Sequence, residues 1–148
     1  DFGLLDTDGH LLANPVHYRD ARTNGKPEQA AACMPAEELY AHTGNQIMAI
    51  NTLFQLLALR EQDPELLQKT AQIIFMPDLF AALLGAEPVC ERSIASTSQT
   101  AGPPHRAVEQ GSAERLRLAG KPLRTHCCQR HGDGYTCKRC ENHCGGRA

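Results

Sequence analysis

The sequence predicts an α/β or α+β domain over residues 1–99, joined near residue 100 to a segment of different composition. Short apolar runs bounded by turn residues predict strands at the start of the chain and again at residues 73–76. Between them, apolar residues recur at helical spacing, with proline, acidic and glycine residues near the ends of each run. The predicted order is β-β-α-α-α-β-α, which is typical of an α/β or α+β fold.

The composition changes sharply between the two parts of the chain. Residues 1–99 contain 6 Lys/Arg and 13 Asp/Glu, a net charge of −7, whereas residues 100–148 contain 9 and 4, a net charge of +5. Large apolar and aromatic side chains number 30 in the first part and 5 in the second, which also holds five of the seven cysteines. Because so few apolar side chains cannot offset the entropy of ordering, we expect the second part to lack a core and to be disordered.

The bulk properties of the chain exclude several classes of protein. Its 148 residues suffice for one domain, since about 100–150 residues is the commonest domain size. The net charge of −2 gives no reason to expect nucleic acid or a membrane as a partner. No apolar run approaches the roughly 18 residues of a membrane-spanning helix. The chain starts at Asp1 without a secretory leader, and its apolar opening is typical of the middle of a strand, so we expect a fragment.

Two apolar runs at the start of the chain predict a hairpin. Residues 2–5 and 11–13 flank Asp-Thr-Asp-Gly at residues 6–9, and an Asp-Gly pair readily adopts the positive φ that tight turns need. We expect the second strand to continue through residues 16–18. Asn14-Pro15 then places it at an edge or a bulge, because proline cannot donate to the ladder.

Three helices are predicted in the middle of the chain. Residues 35–42 begin with proline and an acidic turn and are followed by Gly44. A longer helix begins at Asn51 or Thr52, with leucines at helical spacing. Asp63 and a following proline restart a helix that runs to about residue 71.

A short buried strand at residues 73–76 is closed by Pro77-Asp78, and residues 79–84 are predicted to be helical. For Asp78 and Asn51, a helix N-cap is a simpler interpretation than ligand contact. Isolated polar residues of the first part are likewise interpreted as structural, with an ion pair or loop anchor at Asp20 and Arg22 and surface positions at His17 and His42. A phosphate-cradling glycine loop, a nucleophile elbow and a helical His-Glu-x-x-His motif are all missing from the sequence.

Five stretches of residues 1–99 resemble a known family in order and spacing. They are residues 1–6 (Asp-Phe-Gly-Leu-Leu-Asp), 14–23 (Asn-Pro-Val-His-Tyr-Arg-Asp-Ala-Arg-Thr), 51–56 (Asn-Thr-Leu-Phe-Gln-Leu), 75–78 (Phe-Met-Pro-Asp) and 93–99 (Ser-Ile-Ala-Ser-Thr-Ser-Gln). Together they resemble the FGGY carbohydrate kinases, and the second and third resemble the rhamnulokinase branch of that family. Residues 1–99 are therefore interpreted as part of the amino-terminal lobe of such a kinase.

The resemblance implies a fold and a reaction. The fold would be the ribonuclease-H-like, actin-like kinase fold, in which two lobes close over a sugar and Mg-ATP. The reaction would be ATP-dependent phosphorylation of L-rhamnulose at its 1-hydroxyl, in cytoplasmic rhamnose breakdown. Phosphoryl transfer depends on positioning, on charge neutralisation and on a base that accepts the proton of the sugar hydroxyl.

The resemblance also indicates which parts of the kinase site this chain would hold. The family's phosphate-binding turn lies upstream of residues 1–6, and its catalytic aspartate lies well downstream of residues 93–99. We therefore expect no catalytic, cofactor-binding or metal-binding residues here, no bound ATP or Mg²⁺, and no activity from the chain alone. The nearest candidates for lining the sugar pocket are Asp1, Asn51 and Thr52. The partners of the whole kinase, of which this chain would be a part, would be a small sugar and ATP.

The segment 100–148 permits two interpretations. In the first, its cysteines and histidines bind zinc, because Cys-x-x-Cys with flanking Cys and His supplies tetrahedral ligands and metal binding can fold a segment without a core. The chain would then be a non-catalytic remnant of a kinase lobe that acts as a binding module. A disulfide knot is less expected in a cytoplasmic protein. The candidate ligands are Cys127, Cys128, His131, Cys137, Cys140, His143 and Cys144.

The second interpretation, which we favour, is translation out of frame. FGGY kinases commonly continue after this Ser-Thr-Ser-Gln with Leu-Leu-Asp-Pro-Arg-Thr-Gly-Gln-Trp. A coding sequence for those residues, with one adenine inserted after the glutamine codon, can be read as Thr-Ala-Gly-Pro-Pro-His-Arg-Ala-Val, which is residues 100–108 here. The same holds for residues 114–128. With chosen synonymous codons, a coding sequence for these residues encodes a kinase-like continuation when it is shifted back by one base. A lobe cut in this way is expected to expose apolar faces such as Leu53, Leu56 and Leu57.

Overall fold

The computed structural model describes residues 1–100, 127–131 and 134–136, the last two ranges and Arg92 by their backbone. Its elements alternate short strands with short helices. In chain order they are β1 (Phe2–Leu5), β2 (Leu11–Ala13), a 3-10 helix (Ala21–Thr23), α1 (Lys26–Ala31), α2 (Ala36–Thr43), α3 (Thr52–Gln62), α4 (Pro64–Lys69), β3 (Gln72–Phe75), α5 (Met76–Leu83), β4 (Cys90–Glu91), α6 (Arg92–Ser96), β5 (Cys127–His131) and β6 (Gly134–Thr136).

The first sheet has the order β2-β1-β3, and both pairings are antiparallel. The predicted hairpin between β1 and β2 is confirmed, with Gly9 at a φ of 85° in the turn. Asp6 stabilises the turn, because its Oδ1 accepts from the amides of Asp8 at 2.9 Å and His10 at 2.8 Å. The predicted continuation of β2 to residue 18 is wrong. The strand ends at Ala13, and Pro15, two residues later, cannot donate to a ladder.

The helices with clear terminal signals lie where the sequence predicts them. α2 begins after Pro35 and ends at Thr43, and its C-cap Gly44 has a φ of 69°. α4 is capped by Asp63, whose Oδ1 accepts from the amide of Leu66 at 2.9 Å. It ends at Lys69, slightly before the predicted end. Local capping chemistry is therefore sufficient to locate these elements.

Within residues 1–99, the predicted order lacks four short elements, which are the 3-10 helix, α1, β4 and α6. Each has six residues or fewer and so offers few positions from which a helical or strand period can be recognised. Tertiary contacts hold them in place. In α1, for example, Lys26 Nζ and Gln29 Nε2 both donate to the carboxylate of Glu61 on α3.

The prediction that Asp78 is a helix N-cap is wrong. α5 already begins at Met76, and Asp78 lies inside its first turn. The buried carboxylate of Asp78 accepts from the backbone amide of Glu91 at 2.8 Å. This bond ties α5 to β4 across 13 residues of chain, a partner that the local sequence pattern does not reveal.

The core is built around α3, in which every residue from Thr52 to Leu59 is buried. A helix that is buried on all sides belongs to the interior of a domain. The 3-10 helix, α1 and α4 pack against it. The expected exposure of Leu53, Leu56 and Leu57 is therefore wrong, because these neighbouring helices cover the faces that we expected to be open.

A second sheet, of order β4-β5-β6, connects the two parts of the chain. β4 pairs with β5 in parallel, with Cys90 opposite Cys127 and Glu91 opposite Cys128. β5 pairs with β6 in antiparallel fashion. Cys137, Cys140, His143 and Cys144, which the zinc interpretation needs, lie outside the described residues. So does most of the segment that we interpret as translated out of frame.

Among the helices of the described residues, none is long and apolar enough to cross a lipid bilayer.

Candidate functional site

Asp1, a candidate for the sugar pocket, lies directly before the central strand β1 and is half-buried. Its Oδ1 atom is buried and has no hydrogen-bond partner among the described atoms. A buried acceptor without a donor costs about 1–3 kcal/mol. The geometry thus leaves this carboxylate oxygen able to accept from a group outside the described residues.

Asn51, the second candidate, is only 6% exposed, and both ends of its side chain are engaged. Its Oδ1 accepts from the amide of Met48 at 2.7 Å, and its Nδ2 donates to the carbonyl of Thr97 at 2.9 Å. It occupies the N-cap position of α3, but its side chain makes no capping bond to the helix. Asn51 therefore connects the loop before α3 to the end of α6.

Thr52, the third candidate, is the first residue of α3 and is buried. The next amide of the helix, that of Leu53, donates to the carbonyl of Ser98 at 3.0 Å. A helix leaves its first amides without intrahelical partners. Here the chain segment after α6 satisfies one of them, so this helix terminus is covered by protein.

Asn51 and Thr52 belong to a wider arrangement, which we call the polar seam. It comprises the loop 44–51, the start of α3 and residues 96–99. Gln99 is completely buried, and its Nε2 donates to the carbonyls of Asn45 and Gln46, each at 3.0 Å. Asn45 Nδ2 donates in turn to the carbonyl of Ser96. The polar seam thus joins parts of the chain that are about fifty residues apart.

Two glutamines of the polar seam keep an unused acceptor. Gln55 Nε2 donates to the carbonyl of Ile50 at 2.9 Å, while the Oε1 atoms of Gln55 and Gln99 are buried without a partner among the described atoms. Gln99 also has a φ of 63°, a left-handed conformation that is uncommon for a residue other than glycine. Sequence reasoning missed Gln55 and Gln99 as seam residues. The resemblance included them in its motifs but assigned no role to them.

Asp20 and Arg22 anchor a loop, as predicted, but the bond runs through the backbone. Asp20 Oδ1 accepts from the amide of Arg22 at 2.9 Å and so caps the 3-10 helix. Burial lowers the pKa of the Arg22 guanidinium, and the nearby charge of Asp20 opposes this shift. The Nε of Arg22 is buried without a partner among the described atoms. Of the predicted surface histidines, His17 is exposed and His42 is half-buried.

The described residues contain one cluster of three side chains that could hold a metal ion. In this cluster, one ligand atom each from Asp6, Asp8 and His10 lies within 4.8 Å of the other two. They lie in the exposed hairpin turn, where the amides of His10 and Asp8 lower the pKa of Asp6 and occupy its Oδ1. A turn of this kind explains the cluster without a phosphate or an ion, so we derive no catalytic step through ATP or Mg²⁺ from this chain.

Comparison with known proteins defines the class to which this chain belongs. Residues 1–102 match the amino-terminal domain of the FGGY family of carbohydrate kinases. The chain therefore belongs to the FGGY family of carbohydrate kinases.

Within this family, the chain is similar to a rhamnulokinase from Bacteroides thetaiotaomicron. The two are 42% identical over 99 residues, which cover 67% of this chain and 20% of that protein. The chain thus spans a fifth of the length of this relative.

Solved structures of sugar kinases share the fold. A ligand-bound xylulose kinase from Lactobacillus acidophilus superposes with a TM-score of 0.71 at 18% identity, over 84% of this chain and 25% of that one. A xylulose kinase from Rhodospirillum rubrum superposes with a TM-score of 0.69 at 22% identity, over 78% of this chain and 24% of that one. At such identities the likeness shows the fold, and the α/β kinase fold predicted from the sequence is confirmed.

Proposed function

We propose that residues 1–99 are a lobe segment of a rhamnulokinase, which transfers the γ-phosphoryl group of ATP to the 1-hydroxyl of L-rhamnulose. The observation that carries this proposal is the 42% identity to a rhamnulokinase over 99 residues. ATP with Mg²⁺ and the ketose would be substrates of the whole enzyme, and the reaction would take place in the cytoplasm.

This segment would contribute to the reaction by helping to position the sugar. Phosphoryl transfer is catalysed mainly by holding the reacting groups in line and by stabilising charge. The unpaired Oδ1 of Asp1 is suited to accept a hydrogen bond from a sugar hydroxyl. Asn51 and Thr52, both buried, would support the pocket wall through the polar seam. Lining of the sugar pocket by these three residues stays a prediction.

A chimeric enzyme tests the reaction that we propose for the whole kinase. We expect the Bacteroides rhamnulokinase, with its matching 99 residues replaced by residues 1–99 of this chain, to keep kcat/KM for L-rhamnulose within about tenfold, or about 1.4 kcal/mol of barrier. The measurement is ADP release in a coupled assay, with L-rhamnulose, L-fuculose and D-xylulose as alternative substrates. A folded chimera that prefers another ketose, or that phosphorylates none, would overturn the assignment.

The chain by itself is proposed to be inactive. Incubated with Mg-ATP and L-rhamnulose, it is expected to release ADP no faster than without the sugar, because the resemblance places the family's phosphate-binding turn upstream of residues 1–6 and its catalytic aspartate downstream of residues 93–99. The intact Bacteroides enzyme serves as the positive control in the same assay. Sugar-dependent turnover by the purified 148-residue chain would contradict this prediction.

Residues 100–148 are proposed to be translated out of frame. The support is the change in composition at residue 100 and the end of the family match at residue 102. Sequencing of the coding DNA tests this directly: deleting one base near codon 100 is expected to open a frame that continues the kinase. A frame that stays unlike a kinase after the deletion would favour the zinc-binding module, which predicts about one equivalent of bound zinc.

A further inference from the structure

One side of the helix α5 packs against the first sheet. Leu79 forms a buried cluster with Leu5 of β1 and Ile74 of β3, and two further residues of α5, Met76 and Ala82, pack against this cluster. This side of the helix therefore already has its partner within the family domain.

A second side of α5 is also apolar, but it is exposed. Phe80, Leu83 and the C-cap residue Leu84 are 59%, 65% and 89% exposed. They follow one another at i, i+3 and i+4, so they are neighbours on the helix surface. Single exposed apolar residues are normal, whereas contiguous ones mark a surface that contacts a partner. We call these three residues the α5 outer patch.

The charges around the α5 outer patch indicate the chemistry of that partner. The sequence has no Lys or Arg between Lys69 and Arg92, but it has Asp78, Glu87 and Glu91 there. An acidic segment of this kind does not attract nucleic acid or an anionic membrane. The α5 outer patch is therefore suited to an apolar protein surface.

We propose that the α5 outer patch packs against the part of the whole kinase that lies outside the segment matching residues 1–99. The inference rests on the proposed function, and it names the contact that would join this segment to the rest of the enzyme. The matching segment is 20% of the Bacteroides rhamnulokinase, so most of such an enzyme lies outside it. A longer chain buries a larger fraction of its surface, and a helix that is apolar on more than one side is typical of a protein interior.

Hydroxyl-radical footprinting, read by mass spectrometry, tests this contact without any substitution. Oxidation of the α5 outer patch is compared between the 148-residue chain and the chimera that carries residues 1–99 in the Bacteroides enzyme. We expect rapid oxidation of the patch in the chain. In the chimera, we expect Phe80 to react as slowly as Phe54 and the two leucines to react as slowly as Leu53, because Phe54 and Leu53 are both 0% exposed.

A substitution in the α5 outer patch gives a second measurement. Leu84→Asp is expected to leave the urea midpoint of the chain unchanged, because the side chain is exposed there. The same substitution is expected to lower the urea midpoint of the chimera, in which it would bury a charge. Leu84→Met, which keeps an apolar side chain of similar volume, is the control and is expected to change neither midpoint appreciably.

Rapid oxidation of the α5 outer patch in a folded chimera would overturn the proposal. So would protection of the patch in the 148-residue chain itself, and a dimer in sedimentation velocity would then identify a second copy as the partner. If the chimera does not fold, the matching helix of the intact Bacteroides enzyme is footprinted instead. Slow oxidation of its aligned positions would support the contact, and rapid oxidation would refute it.

The footprint is independent of catalysis, so it separates this inference from the proposed reaction. A folded chimera that protects the α5 outer patch but prefers another ketose would support the contact and overturn the substrate assignment alone. A chimera that phosphorylates L-rhamnulose while the patch stays reactive would overturn the contact alone.

Discussion

Replacing Phe54 with alanine is expected to lower the free energy of unfolding of the chain by about 3–5 kcal/mol. Phe54 lies on α3, is 0% exposed and belongs to the main apolar cluster that joins α3 to β1 and β3. Its removal forfeits the transfer free energy of the ring and leaves a cavity that the surrounding side chains fill only in part. Because whole domains are stable by only about 5–15 kcal/mol, the variant is expected to unfold at a much lower urea concentration.

Phe80 provides a matched control for this experiment. It lies on α5 and is 59% exposed. Phe80→Ala is therefore expected to change stability by no more than about 0.5 kcal/mol. The two variants and the unsubstituted chain are compared by urea titration, with unfolding followed by far-ultraviolet circular dichroism. Equal losses at both positions, or no loss at Phe54, would show that α3 is not the centre of the core.

Replacing Asn51 with alanine is expected to cost about 1–3 kcal/mol, the penalty for leaving buried hydrogen-bonding groups without partners. The substitution removes the acceptor of the Met48 amide and the donor to the Thr97 carbonyl. The polar seam would then lose one connection between the loop 44–51 and the end of α6. The same urea titration measures the loss.

Two further variants show whether the effect belongs to the polar seam. Asn14→Ala removes the same kind of side chain from an exposed position. Its free energy of unfolding is expected to stay within about 0.5 kcal/mol of that of the unsubstituted chain. Asn51→Asp keeps the acceptor for Met48 but replaces the donor to Thr97 with a buried carboxylate oxygen that faces a carbonyl, so a loss of stability is again expected. If Asn51→Ala is as stable as the parent, Asn51 does not hold the seam together, and direct contact with a sugar becomes its better explanation.

Where a segment carries its own signals, sequence reasoning located it well. The hairpin followed from an Asp-Gly turn between apolar runs, and the structure shows Asp6 accepting from two amides of that turn. α4 followed from Asp63 and a proline, and Asp63 does cap the helix. In each case the stabilising partners lie within four residues of one another, so the local sequence contains the whole interaction.

The errors arose where the partner is distant in sequence. Asp78 carries the local signature of a cap, but its carboxylate accepts from the amide of Glu91. The leucines of α3 were expected to be exposed in a truncated lobe, but helices from both sides of α3 in the sequence cover them. Gln99 gave no local signal, because its role depends on two carbonyls more than fifty residues earlier.

For the three candidate pocket residues, too, the sequence and the structure reveal different things. The resemblance selected Asp1, Asn51 and Thr52 by their position in family-like stretches. Only the structure distinguishes them: Asp1 retains an unpaired carboxylate oxygen, whereas both ends of the Asn51 side chain are bound within the polar seam. Motif position indicates that a residue is near a site, but the hydrogen bonds already made decide what it can still bind.

By itself, the sequence determined the family-like stretches, the turn and cap chemistry of the hairpin, α2 and α4, and the change of composition at residue 100. The tertiary structure alone decided the burial of α3, the bond between Asp78 and β4, the polar seam and the pairing of Cys90 with Cys127. The physical reason is the range of the interactions. Caps and turns are satisfied within a few residues, whereas burial and strand register depend on groups brought together only when the chain has folded.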